Sequence, residues 1–189
     1  MKTYILPALK LTVILIVILA GVYPLIIAGI GKFTPGHGDG ETVQYKGRTV
    51  GYALIGQKFT KDEYFWSRPS AVDYKADASG GSNKGPTNPD YLHKDVQGRI
   101  DTFLKHNPTV KKEQIPAELV TASGSGLDPD LSPAGAKIQV ARVAKARGLS
   151  EQQVSTLVDA HIEKPLLGVF GPEKVNVLKL NIALDELKK

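Results

Sequence analysis

The sequence predicts an α+β protein: one N-terminal transmembrane helix followed by a single mixed, helix-rich soluble domain. Three observations carry this. Leu11–Gly31 is 21 residues without a charge, and as a helix it would span about 30 Å, the hydrocarbon thickness of a bilayer. From Asn88 onward, capped segments with apolar residues at helical spacing recur. Between them and the anchor lie two short β-rich runs and a long loop dense in Ser, Gly and Asn. The chain divides into a short tail (1–10), the anchor (11–31), a linker (32–41) and the domain (42–189).

The anchor has two competitors. A cleaved signal peptide has a shorter apolar region with a small-residue cleavage site close behind it. A core helix would show a polar face. The stretch has neither feature, so it reads as an uncleaved anchor. Pro24 removes one backbone donor and favours a plain kink. Gly21, Ala28, Gly29 and Gly31 are small enough to let another helix approach. Lys2, Lys10 and the terminal amine stand on one side, against Lys32 alone on the other before Lys46. That bias places the N-terminus in the cytoplasm and the domain outside it.

Composition narrows the classes. About 155 residues remain beyond the anchor, enough for one core. The net charge of +5 is spread along the chain, without the aromatic interleaving of a nucleic-acid surface. There is no cysteine, which removes thiol nucleophiles, Cys-ligated zinc and iron–sulfur clusters, and leaves stability to packing.

Phe33–Glu41 is a Gly-rich linker; His37 beside Asp39 is too little for a metal site. Thr42–Gln57 holds two β-rich runs around Lys46-Gly47 and reads as a hairpin. Thr60 looks like the N-cap of a short helix over Lys61–Phe65, ahead of the Arg68-Pro69 break. Tyr64, Phe65 and Trp66 form an aromatic cluster that packs under the loop 67–89. A loop of that length inside a domain is usually functional or disordered, and its turn residues suggest a shaped one. Asn88-Pro89 opens a helix that runs to about His106, with Tyr91, Leu92, Val96, Ile100, Phe103 and Leu104 on one face. A short strand is expected over Glu118–Ala122, then a second special loop, Ser123–Asp130. Ser132 caps a helix over Pro133–Arg147, which Gly148 ends in a left-handed conformation. Another helix runs from Ser150 to about His161. Pro165–Pro172 is a turn region, Lys174–Val177 a short strand, and Leu178–Leu187 a terminal helix.

Motifs for chemistry are incomplete. Gly80–Gly85 matches the front of a phosphate loop, but Pro86 stands where the phosphate-reaching lysine belongs. Ser79-Gly80-Gly81 matches only three residues of the Ser-Gly-Gly signature that ABC transporters place against ATP. Neither Ser123 nor Ser125 sits in a nucleophile elbow, G-x-S-x-G. His93, His106 and His161 lie on expected helices, where a surface or packing role is usual. Asp62, Glu63, Asp128 and Asp130 show no acid–base pairing pattern. The residues alone therefore favour a subunit or adaptor over an enzyme, with no catalytic residues and no metal site expected.

Five blocks bring a resemblance into view. YFWSRPSA (Tyr64–Ala71), SGGSNKGPTNP (Ser79–Pro89), VTASGSGLDPDLSP (Val120–Pro133), QVARVAKARGL (Gln139–Leu149) and VNVLKLNIALD (Val175–Asp185) resemble, in order, the C subunit of the bacterial high-affinity potassium-transporting P-type ATPase, the KdpC family. The resemblance covers nearly the whole chain. Asp130, where a histidine or similar residue is expected, and GPEKVNV in place of GEPRVNV are small departures.

The resemblance implies an accessory subunit of the bacterial inner membrane, needed for assembly and activity. Its partners would be a channel-like potassium-binding subunit and a P-type ATP-hydrolysing subunit. ATP and potassium would act through the complex. Such subunits have been described as catalytic chaperones that raise the pump's apparent ATP affinity by sharing the nucleotide. On that picture the candidate interface or nucleotide contacts are Ser79, Gly80, Gly81, Ser82, Asn83, Thr87, Asn88, Ser123, Gly124, Ser125, Gly126, Asp128 and Gln139. The outside placement read from charge opposes direct sharing, because no ATP is there. The alternative class is a free-standing anchored extracytoplasmic enzyme or binding protein.

Overall fold

The computed structural model describes residues 2–187. The chain falls into two compact units, divided between Thr42 and Val43.

The first unit is built on one long apolar helix. Helix α1 (Lys2–Ile16) and helix α2 (Tyr23–Gly31) are joined by a π-helical turn over Val17–Val22. Pro24 explains the turn. It lacks the N–H that would bond the Ala20 carbonyl in a regular helix, and its ring crowds that carbonyl. The wider turn relieves both, and the Tyr23 N–H reaches the Ile18 carbonyl instead. Tyr4–Gly31 is long and apolar enough to cross a membrane, and none of its side chains is buried. Its 28 residues give about 42 Å of helix, more than a bilayer's hydrocarbon core, which tilt accommodates. This fits a single membrane-spanning anchor. The linker that follows is a run of turns, with His37 Nδ1 3.1 Å from the Lys32 carbonyl oxygen.

The second unit is the helix-rich α+β domain. Strands β1 (Thr42–Tyr45) and β2 (Arg48–Tyr52) form the expected hairpin. Lys46 and Gly47 both have positive φ (50° and 74°), the conformation that matches a two-residue turn to the twist of its strands. The helix opened by Asn88 is present: its Oδ1 accepts from the Tyr91 N–H at 3.0 Å. It begins with a π-helical turn over Tyr91–Val96 and continues as α3 (Gln97–His106). Further on come β3 (Asp130–Leu131), α4 (Pro133–Lys137), α5 (Val140–Arg147), α6 (Glu151–Ala160), β4 (Ile162–Glu163), β5 (Lys174–Asn176) and α7 (Val177–Glu186). The central strand β5 pairs antiparallel with β3 and β4, setting Leu131 and Ile162 on either side of Val175. Phe65, Phe103, Leu131, Val143, Val154, Val158, Val175, Leu180 and Leu184 pack as the core.

Three expectations need correction. The helix Pro133–Arg147 is two helices, broken at Ile138-Gln139. In a regular helix the Gln139 N–H would bond the Gly135 carbonyl. Here the Gln139 side-chain Nε2 takes that carbonyl at 3.0 Å, and the N–H bonds Ala136 instead. The strand expected at Glu118–Ala122 is a 3₁₀ turn over Ala117–Leu119. Thr121 bonds back to the Ala117 carbonyl through both its N–H and its hydroxyl, a local closure that competes with a strand.

Lys61–Phe65 is not a helix either. It makes a single turn and then passes, without a strand partner, beneath α5 and α7. Side chains take its carbonyls one after another. Arg142 Nη1 donates to Asp62 (2.6 Å) and Tyr64 (3.0 Å), and Arg147 Nε to Glu63 (2.7 Å). Asn181 Nδ2 donates to Phe65 (3.0 Å) and Gln139 Nε2 to Trp66 (3.2 Å). The Phe65 and Trp66 N–H groups return to Asn181 Oδ1 and Gln139 Oε1. Asn181→Ala leaves both polar groups of Phe65 unpaired in the core. We expect a loss of about 2–4 kcal/mol, read as a lowered urea midpoint in Trp66 fluorescence.

Candidate functional site

The two Ser/Gly loops meet. The segment after Trp66 leaves the core with Arg68 and Pro69, and the Pro69 carbonyl accepts from the Ser123 N–H at 3.0 Å. Ser70 Oγ donates to the Gly126 carbonyl at 2.6 Å. The Ser125 carbonyl accepts twice, from the Gly80 N–H (2.8 Å) and from Ser79 Oγ (3.1 Å). Ser123 is buried, and its hydroxyl oxygen accepts from the Gly126 N–H at 2.9 Å. Leu127 continues the seam by accepting from the Gly56 N–H.

Glycine is required where the backbones touch. Gly126 has φ +69°, and a Cβ there would lie 2.6 Å from Val72 Cγ2 and 2.7 Å from the Gly80 oxygen. Gly81 passes against Gly124, whose oxygen would stand 3.2 Å from an added Cβ.

The expected site residues thus separate. Ser79, Gly80, Gly81, Ser123, Gly124, Ser125 and Gly126 come together in this seam. Asp128 lies at its end, paired with Arg68 at 2.8 Å, while its other oxygen accepts from the Asp130 N–H. Asn88 caps its helix. Ser82, Asn83 and Thr87 sit in the outer part of the first loop, where Asn83 is left-handed at φ 54°. That part is tied to the helix below it by Lys84 and Asp95 at 2.6 Å, which holds the Asp95 carboxyl below its ordinary range. Gln139 is elsewhere: fully buried, its amide shared by Trp66, Gly135 and Arg142.

Sequence reasoning missed the hollow beside the seam. It has a volume of about 460 Å³ and is lined by Lys58, Phe59, Trp66, Arg68, Tyr74 and Arg99, among others. Most of its polar groups are engaged, but the buried Arg68 Nε has no hydrogen-bond partner among the described residues. Lys58 pairs with Asp73 at 2.5 Å, Arg99 donates to the Val120 carbonyl, and Tyr74 donates to the Arg68 carbonyl at 2.7 Å. Burial pushes the Tyr74 phenol up to about 12. Ser67 and Ser70 spend their hydroxyls on backbone carbonyls. Only the Arg-Pro pair in SRPS signalled this place in sequence. Among the described residues, no group of three His, Asp or Glu is placed to hold a metal ion. The arrangement holds two loops in one shape through hydroxyl and backbone bonds.

The comparisons with known proteins agree along the whole chain. The family profile described as "K+-transporting ATPase, c chain" matches residues 5–186. The chain belongs to the KdpC family. The potassium-transporting ATPase KdpC subunit of Flavobacterium psychrophilum is 59% identical over 180 residues, covering 95% of this chain and 96% of that one. The KdpC subunit of Phocaeicola vulgatus is 52% identical and covers all of both chains. That of Caldanaerobacter subterraneus is 49% identical, over 96% of this chain and 94% of the relative. KdpC is a subunit of the Kdp potassium ATPase complex, so membership implies partner subunits.

Two outcomes follow from the seam. Gly126→Ala meets both strain and a clash and should cost about 2–3 kcal/mol. Gly148→Ala, equally left-handed at φ +65° but with open space around it, should cost about 1 kcal/mol. Urea unfolding of both variants checks the difference. Tyr74 supplies the pH test. Its folded pKa of about 12 lies above the unfolded value, so the folded state keeps a proton that the unfolded state loses. Stability from this group is full below about pH 10 and falls as pH rises toward 12. Tyr74→Phe should flatten that alkaline loss, and absorbance titration should lose its highest phenol.

Proposed function

We propose that the chain is a non-catalytic accessory subunit of a potassium-importing P-type ATPase. It is needed for assembly and activity, beside a channel-like potassium-binding subunit and an ATP-hydrolysing subunit. The observation that carries this reading is the seam. The Ser, Gly and Asp groups that would have to receive a nucleotide are largely bonded to one another, and Gln139 is sealed in the core. A rigid, self-satisfied loop pair suits a docking body better than a ligand site.

The N-terminus lies in the cytoplasm and the domain on the extracytoplasmic side, in keeping with the lysines flanking the anchor. The chain has no ATP to share there. Any rise in the apparent ATP affinity of the hydrolysing subunit is then a coupling transmitted through the complex, about 1–3 kcal/mol or 5- to 150-fold.

The absence of cysteine makes the test clean. Ser125 is exposed, so Ser125→Cys gives one reactive thiol in the seam. An impermeant thiol reagent should label it in intact spheroplasts. Labelling only after lysis overturns the topology and favours direct nucleotide contact. Loss of the chain should abolish potassium-stimulated ATPase activity; retained activity overturns the subunit reading.

A further inference from the structure

The hollow beside the seam is lined by arginines whose donors the domain does not use up. Arg68 gives Nη1 to Asp128 at 2.8 Å, while its buried Nε has no partner among the described residues. Arg99, half-buried, gives Nη1 to the Val120 carbonyl at 3.0 Å and lies 6.0 Å from the centre of the Tyr91 ring. It forms no ion pair among the described residues. A guanidinium partly out of water without an acid beside it is short of a counter-ion.

The other charges on the walls are matched. Lys58 pairs with Asp73 at 2.5 Å and Arg68 with Asp128. Asp95 is near enough to feel Arg99, but its carboxylate is bonded to Lys84 at 2.6 Å. Arg99 is left as the uncompensated charge. Around it the lining is apolar, with Phe59, Trp66, Pro69, Phe103 and Leu119. The shape is set before anything enters. Ser67 Oγ donates to the Gln57 carbonyl at 2.8 Å, and the Tyr74 hydroxyl to the Arg68 carbonyl at 2.7 Å. The volume of about 460 Å³ falls within the about 300–1,000 Å³ of small-molecule sites.

We propose that this hollow binds a small organic acid, its one carboxylate paired with Arg99 and its flat apolar body lying against Trp66 and Phe59. Both arginines are short of an acceptor, which a carboxylate supplies and a cation does not. The guanidinium fork also matches the two oxygens of a carboxylate. A multiply charged anion such as phosphate fits worse, because Asp73 and Asp95 line the same walls. A neutral molecule would leave Arg99 without its counter-ion.

The test uses the full chain in detergent micelles, with 4-nitrobenzoate as the probe. Trp66 is the single tryptophan and lines the hollow, so a nitroaromatic ring bound there quenches its emission. Quenching should saturate, and inorganic phosphate at equal concentration should leave it unchanged. 4-Nitrobenzamide has the same body without the charge and should bind about tenfold more weakly, as should 4-nitrobenzoate to Arg99→Gln. Arg99 also anchors Val120, so a second variant keeps the test independent of that bond. Gly98 lines the hollow from α3, and an added Cβ there meets nothing within 4 Å. Gly98→Leu favours the helix and narrows the hollow. It should abolish saturable quenching with circular dichroism unchanged. Quenching that never saturates, equal binding of the amide, or saturation that survives Gly98→Leu overturns the proposal. Displacement of the probe by phosphate overturns the carboxylate assignment.

Discussion

Asp62–Trp66 is backbone without a strand neighbour, and the domain is organised around satisfying it. Phe65 is fully buried. A buried backbone must find partners for its N–H and C=O groups or pay for each one left alone. This segment finds them in the side chains of Gln139, Arg142, Arg147 and Asn181. Arg142 bears the largest burden. It is buried against the Trp66 ring at 4.4 Å, and desolvation pushes its guanidinium down to about 10. It remains charged at neutral pH, and each of its nitrogens has a carbonyl or amide oxygen to donate to.

Other features follow from that clamp. Gln139 can reach Trp66 because the helix breaks there, and the break exists because the Gln139 amide takes the carbonyl its own N–H would have used. α7 must lie against the segment to present Asn181. Asn176, at the start of α7, caps that helix through Lys179 and also donates to the Ala53 carbonyl at 2.8 Å. The hairpin end is thereby tied to the sheet. Once Trp66 is fixed, the next residues emerge beside Ser123–Asp128, and the seam forms.

The parts legible in sequence were those decided by neighbours a few residues away. Asn88, Ser132, Ser150 and Gly148 mark helix ends through bonds that close within one turn. Lys46-Gly47 marks the hairpin for the same reason. The parts that were not legible depend on distant partners. β3 and β4 are two residues each, too short to show an alternation, and exist only because β5 lies between them. Lys61–Phe65 carries a helical pattern, yet its backbone is claimed by residues more than seventy positions away. The Ser/Gly loops announced themselves by composition. That the first loop's hydroxyls are spent on the second loop's carbonyls could not be read from it, since a serine that binds a ligand and one that ties two loops look the same in sequence.

The seam and the hollow beside it differ in how they use their groups. The seam is polar and turned inward: carbonyls, hydroxyls and amides are matched across two loops. The hollow has apolar walls and the Arg99 guanidinium, which no acid among the described residues pairs. On the non-catalytic reading proposed above, the chain influences a partner by binding its states with different free energies. That requires a surface that does not yield when the partner changes shape. The clamp at Asp62–Trp66 and the seam stiffen the body of the domain. On the proposed reading, rigidity in these two places lets contact energy at the domain surface act on the complex rather than dissipate in loop motion.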